Sequence, residues 1–187
     1  MIWTIPNLLT MARLILAPLV AWRLSEYDVD AAFWLFVAAA LTDLLDGNLA
    51  RLLNQRSVLG AWLDPIADKV MLLSTLTMLC LTDMLPMWLL WLVLVRDIVI
   101  LLGAEAYRRL TGSLDVRPTL SGKLATALEF VLVSYTLADL ALDLGLDAGI
   151  DPFAQVTAIV VALSGLRYIW LWAGKTRDYL RKSEDAR

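Results

Sequence analysis

Residues 43–69 read DLLDGNLARLLNQRSVLGAWLDPIADK and set four acids, Asp43, Asp46, Asp64 and Asp68, into a chain otherwise rich in Leu, Ala, Val, Ile and Trp. Hydrophobic residues fill 60% of the 187 positions, more apolar surface than one soluble domain of this size can hide. The acids must therefore be read against a membrane, where an ionised side chain is costly and marks function.

Apolar stretches near 4–24, 31–52, 61–82, 86–107, 122–142 and 152–174 are each close to the roughly 20 residues a helix needs to cross a bilayer. They predict an all-α polytopic membrane protein, six transmembrane helices in one bundle, with residues 1–187 forming a single domain. Lys and Arg collect in cytoplasmic loops. Arg51 and Arg56, then Arg108, Arg109, Arg117 and Lys123, then the tail from Lys175 to Arg187 all fall on one side. The opposite loops, SEYDVD, TDMLP and DLGLDAGID, hold no Lys or Arg. Both termini are expected in the cytoplasm, and a bacterial inner membrane is the simplest address. The first span has no basic segment before it and no small-residue cleavage site after it, so it reads as retained.

Several chemistries are excluded. The chain has no His, which removes imidazole catalysis and His-ligated zinc. Its one cysteine, Cys80, sits in an apolar run and reads as packing. The net charge of -3, with the basic residues gathered on one face, gives no support to nucleic-acid binding. Eight Trp are explained by interfacial anchoring.

At 3.6 residues per turn, Asp43, Asp46, Gly47 and Ala50 share one stripe of the second span, with Arg51 one step beyond. Gly60, Asp64 and Asp68 recur every four residues and form a matching stripe on the third. Eight residues separate Arg51 from Gly60, so the two helices are expected as antiparallel neighbours whose carboxylates face one cavity. Two like charges ~4 Å apart repel by about 4 kcal/mol at an effective dielectric near 20. Either some of the acids hold protons or divalent cations neutralise them. Oxygen-only ligation suits Mg²⁺ or Mn²⁺ and a paired-metal phosphoryl-transfer site. Gly47, Ala50 and Gly60 leave a slot where a bulky ligand approaches the backbone, and Arg51 adds a fork for phosphate.

The pattern D-x-x-D-G-x-x-A-R, eight residues, G-x-x-x-D-x-x-x-D is filled at every fixed position by Asp43, Asp46, Gly47, Ala50, Arg51, Gly60, Asp64 and Asp68. In this the chain resembles the CDP-alcohol phosphatidyltransferases, and IPNLLTMARL opens the first span in a similar way. The resemblance implies a homodimer of six-helix protomers acting on CDP-diacylglycerol, with two divalent metals, Mg²⁺ or Mn²⁺, per site. It implies metal binding by Asp43, Asp46 and Asp64. Asp68 is implied as a further metal contact and the general base. Gly47, Ala50 and Gly60 are implied as the cytidine pocket, Arg51 as a diphosphate contact, and Asn7, Thr10 and Arg13 as closing the nucleotide side.

The acceptor is expected to be an anionic alcohol. Arg108, Arg109, Arg117 and Lys123 are the candidates to hold it, although inner-loop cations are first of all topology signals. VRPTLSGKLATALEF resembles cardiolipin synthases of the eukaryotic type, whereas phosphatidylglycerophosphate synthases tend to read G-K-x-K-T; here the second basic position is Ala125. Phosphatidylglycerol is the expected acceptor, glycerol 3-phosphate the alternative. A cation or proton transporter is the rival from another class. Such a path needs midplane carboxylates open to both faces, whereas these acids lie towards one face beside Gly and Arg.

Overall fold

A computed structural model describes residues 5–52, 58–111 and 119–185, with side chains at 7–43, 60, 62–111, 119–177 and 181. Among these, six α-helices follow one another: α1 Ile5–Ser25, α2 Val29–Leu52, α3 Val58–Leu81, α4 Met87–Thr111, α5 Leu120–Leu142 and α6 Ile150–Asp185. No strand occurs among the described residues, so the all-α expectation holds. Among the described residues, four helical segments are long and apolar enough to cross a membrane: Asn7–Ser25, Met87–Thr111, Leu120–Leu142 and Asp147–Arg177.

The helix ends follow from local chemistry. Asp28 opens α2, its Oδ1 accepting from the Ala31 N–H at 3.3 Å while Oδ2 accepts from Arg23 at 3.3 Å. Pro86, which has no N–H to leave unsatisfied, precedes α4. Thr119 caps α5, its hydroxyl accepting from the Gly122 N–H at 3.1 Å. Leaving α5, Gly145 takes φ +67°, a conformation open to glycine at no steric cost. The chain there is pinned by two residues of α5. Buried Asp139 accepts from the Leu146 N–H at 2.7 Å, and the Tyr135 hydroxyl donates to the Leu146 carbonyl at 2.9 Å.

The structure runs α6 well beyond the predicted end at 174. KTRDYLRKSED contains neither Gly nor Pro to stop a helix, and Asp178 stands four residues before Lys182, a spacing that supports helix in water. Hydropathy marks where the membrane ends, not where the helix does.

Two compact units emerge, one formed by Met1–Leu85 with Val133–Ile150, the other by Pro86–Leu132 with Asp151–Arg187. In the first, α1 packs against both α2 and α3. Alongside an apolar core, polar groups are buried and many large apolar side chains face outward. Thr10, Thr75, Thr136, Thr157 and Ser164 are fully buried, whereas Trp170 is 80% and Leu101 69% exposed. This inversion of the soluble pattern fits a bundle solvated by lipid.

The second unit is tied together by Arg96. It is 7% exposed, pairs through Nη1 with Asp97 at 2.8 Å, and donates through Nη2 to the Gly122 carbonyl of α5 at 3.2 Å and to Ser164 of α6 at 3.5 Å. Beside it the Tyr168 hydroxyl accepts from the Thr119 N–H at 3.2 Å. One guanidinium therefore links α4, α5 and α6. Removing one member of a buried ion pair costs about 3–5 kcal/mol, so Arg96→Met should lower the midpoint of thermal unfolding in detergent by several degrees. Arg96→Lys, which keeps the charge, should recover part of the loss.

Candidate active site

Along α1, Asn7, Thr10 and Arg13 recur every third residue and stand on the buried face that Ala17, Val20 and Leu24 continue. One face of this helix is thus polar at its start and apolar towards its end. The polar half meets the acids.

Arg13 is 2% exposed and reaches two helices at once. Its Nη2 lies 2.8 Å from Oδ1 of Asp43 on α2, and its Nη1 donates to Oδ1 of Asp68 on α3. Thr10, fully buried, donates to Oδ1 of Asp64 at 2.6 Å. A planar guanidinium has two forward-facing nitrogens and can hold two carboxylates in a fixed relation, which an ammonium cannot. The carboxylates are not sealed off. Asp43 and Asp68 remain 48% and 53% exposed, and Asp64 is half-buried.

The charge balance matters for chemistry. Three carboxylates against one guanidinium leave the cluster formally negative. Among the described residues no three acids stand close enough to hold an ion by themselves, and the positive group between Asp43 and Asp68 is Arg13. The donors are all oxygen, which suits a hard divalent cation and not a thiophilic one.

The structure thus brings together Asp43, Asp64 and Asp68 with Thr10 and Arg13. Asn7 is buried on the same face of α1, and Gly60 is buried at the start of α3. Asp46, Gly47, Ala50 and Arg51 lie on α2 with side chains outside the described set, and Arg117 lies outside the described residues. Lys123 is exposed in the first turn of α5, in the second unit. Arg108 and Arg109, in the last turn of α4, both bond Glu105, at 2.7 and 2.9 Å and at 2.8 Å respectively.

The function of Arg13 as a bridge between the two aspartate stripes is the part that sequence reasoning missed. Pairing α2 directly with α3 left α1 out of the cluster, and Arg13 was assigned to the nucleotide side. The signal was present in N-x-x-T-x-x-R, three polar residues at helical spacing inside an apolar span.

The family model for CDP-alcohol phosphatidyltransferase matches residues 3–174. The cardiolipin synthase (CMP-forming) of Homo sapiens is 35% identical over 182 residues, covering 89% of this chain and 60% of that protein. The cardiolipin synthase (CMP-forming) of Streptomyces coelicolor is 41% identical over 112 residues, 57% of this chain and 52% of its own length. The CDP-diacylglycerol--glycerol-3-phosphate 3-phosphatidyltransferase of Cereibacter sphaeroides is 41% identical over 116 residues, 56% of this chain and 52% of its own length. The chain thus spans little more than half the length of these relatives. With every fixed position of the aspartate signature filled and a family match running through all six helices, the chain belongs to the CDP-alcohol phosphatidyltransferases.

Proposed function

We propose that the chain transfers the phosphatidyl group of CDP-diacylglycerol to a hydroxyl of phosphatidylglycerol, releasing CMP and forming cardiolipin. The observation that carries this reading is the convergence of Asp43, Asp64 and Asp68 on the buried polar face of α1. The acceptor oxygen bonds to the β-phosphorus as the bond to CMP breaks, and Asp68 takes the hydroxyl proton. Arg13 holds Asp43 and Asp68 at a fixed separation, and Thr10 orients Asp64. Gly47, Ala50 and Gly60 make room for cytidine, with Arg51 on the diphosphate and Asn7 closing the pocket.

The oxygen donors Asp43, Asp46, Asp64 and Asp68 fit Mg²⁺ or Mn²⁺, and two such ions are proposed per site. When bound they would neutralise the diphosphate oxygens and the charge on departing CMP. The protein is proposed to act as a homodimer with six spans per protomer, both termini cytoplasmic, in a bacterial inner membrane.

One observation favours a phosphodiester acceptor. Ala125 is completely buried, so the first turn of α5 presents Lys123 without a second cation two residues on. A phosphomonoester carries about two charges at neutral pH and would call for more. Glycerol 3-phosphate remains the second reading, on the strength of the C. sphaeroides relative.

Purified protein given CDP-diacylglycerol with phosphatidylglycerol is expected to yield cardiolipin and CMP, identified by mass. Phosphatidylglycerophosphate from glycerol 3-phosphate, without cardiolipin, would overturn the acceptor and leave the family intact. Cation uptake by proteoliposomes without CMP release would overturn the enzyme. Lys123→Ala should raise the KM for phosphatidylglycerol more than that for CDP-diacylglycerol.

Chelator should stop CMP release and added Mg²⁺ or Mn²⁺ restore it. Asp43→Asn, Asp46→Asn and Asp64→Asn should each abolish turnover while the protein still inserts. Near-normal rates in all three would sink the ligand assignment.

Charge-assisted hydrogen bonds contribute about 1.5–3 kcal/mol each, so loss of one held by Arg13 corresponds to roughly 10- to 100-fold in rate. Arg13→Lys, which retains charge without the fork, should lower CMP release by that order. Retention of the full rate would remove Arg13 from the site.

A further inference from the structure

A groove of about 570 Å³ lies on the second unit, lined by Gly103, Ala106 and Tyr107 of α4 and by Trp172, Ala173, Thr176, Arg177 and Arg181 of α6. None of these residues belongs to the aspartate cluster or to the acceptor candidates. The volume is that of a small-molecule site.

Trp172 forms its floor. Its indole is 7% exposed, 5.3 Å from the Tyr107 ring, and its Nε1 finds no hydrogen-bond partner among the described residues. A buried donor left unsatisfied is destabilising. The arrangement is enforced from the opposite helix, because a Cβ on Gly103 would come within 2.6 Å of Trp172 Cδ1 and 2.8 Å of Nε1. An indole serving only as an interfacial anchor would lie exposed among headgroups. This one is covered, packed against Gly103 of α4.

Positive charge surrounds it. Lys175 Nζ lies 5.7 Å from the Trp172 ring centre and 5.5 Å from that of Tyr107. Arg177 and Arg181 stand one turn apart on the rim, and no carboxylate among the described residues pairs with either. Arg108 and Arg109, by contrast, are engaged by Glu105. Arg108 and Arg109 on α4 and Lys175, Arg177 and Arg181 on α6 close the apolar runs of the two helices, which puts the groove at a membrane boundary.

We propose that this groove binds the phosphodiester headgroup of an anionic glycerophospholipid. The phosphate oxygens face Arg177 and Arg181, while the glycerol and first methylenes lie along Gly103, Ala106 and Ala173 beside the covered Trp172 ring. Basic pockets between helices at the cytoplasmic side commonly bind such headgroups. The apolar wall selects a lipid over a free anion, which would gain nothing from it. The site is additional to the catalytic acceptor site and holds its lipid through turnover.

The test is native mass spectrometry of the whole protein in detergent with phosphatidylglycerol or phosphatidylcholine added. Wild type is expected to retain phosphatidylglycerol preferentially. The Arg177→Gln/Arg181→Gln double variant should hold one fewer, with CMP release at saturating substrates within about twofold of wild type. Equal retention by the double variant, or no preference over phosphatidylcholine, would overturn the proposal. A CMP-release rate that falls in step with lipid loss would also overturn it, by making the groove the acceptor site itself. Tryptophan emission supplies the second readout. Phosphatidylglycerol should change it in wild type and not in Trp172→Phe, and excess inorganic phosphate should not reproduce the change. If phosphate alone reproduces it, the ligand is a free anion and the lipid assignment fails.

Discussion

A guanidinium buried among carboxylates is the constraint from which the first unit follows. Arg13 is 2% exposed, and a guanidinium, which stays charged in a protein, is costly to bury unless carboxylates compensate it close by. The compensation comes from Asp43 and Asp68, on different helices. Satisfying both draws α2 and α3 onto α1, and Thr10 adds Asp64 from the same face. Helix association in lipid receives little help from the hydrophobic effect, so polar ties of this kind carry more of the specificity than they would in water.

The second unit uses the same device to a different end. Arg96 also joins three helices, yet its charge is balanced by its neighbour Asp97, and its Nη2 donates to the Gly122 carbonyl and Ser164 while its Nε finds no partner among the described residues. One carboxylate against one guanidinium leaves that node formally neutral. Around Arg13 the acids outnumber the cation, and two of them stay half exposed. The balance of charge separates the two: one guanidinium closes a structure, the other leaves negative charge open to a ligand.

Much of this was legible in the chain. Four acids at spacings of three and four, with Gly and Ala on the same stripes, pointed to the site because lipid makes each acid costly and each small residue an opening. The apolar stretches placed all six helices to within a few residues, apart from the ends of α4 and α6. The bridging role of Arg13 was not read, because a stripe on one helix says which way a residue faces and nothing of which helix it meets. Nor was the Trp172 groove, since the Gly103 that shapes it stands on a different helix, far away in sequence. Interhelical partners of this kind need coordinates.

Cations at a membrane boundary serve two ends, and the structure divides them. Positive residues hold a helix end on the cytoplasmic side whether or not they are paired, so topology alone does not require Arg108 and Arg109 to be free, and Glu105 engages both. Lys123, Arg177 and Arg181 have no carboxylate partner among the described residues and stand at the start of α5 and the end of α6. An unpaired cation keeps its full attraction for a phosphate, whereas one already bonded must first give up its carboxylate. A membrane protein that recognises lipid headgroups must do so where water and acyl chains meet. The unpaired cations are those fitted to that task, and the paired ones are those fitted to orientation.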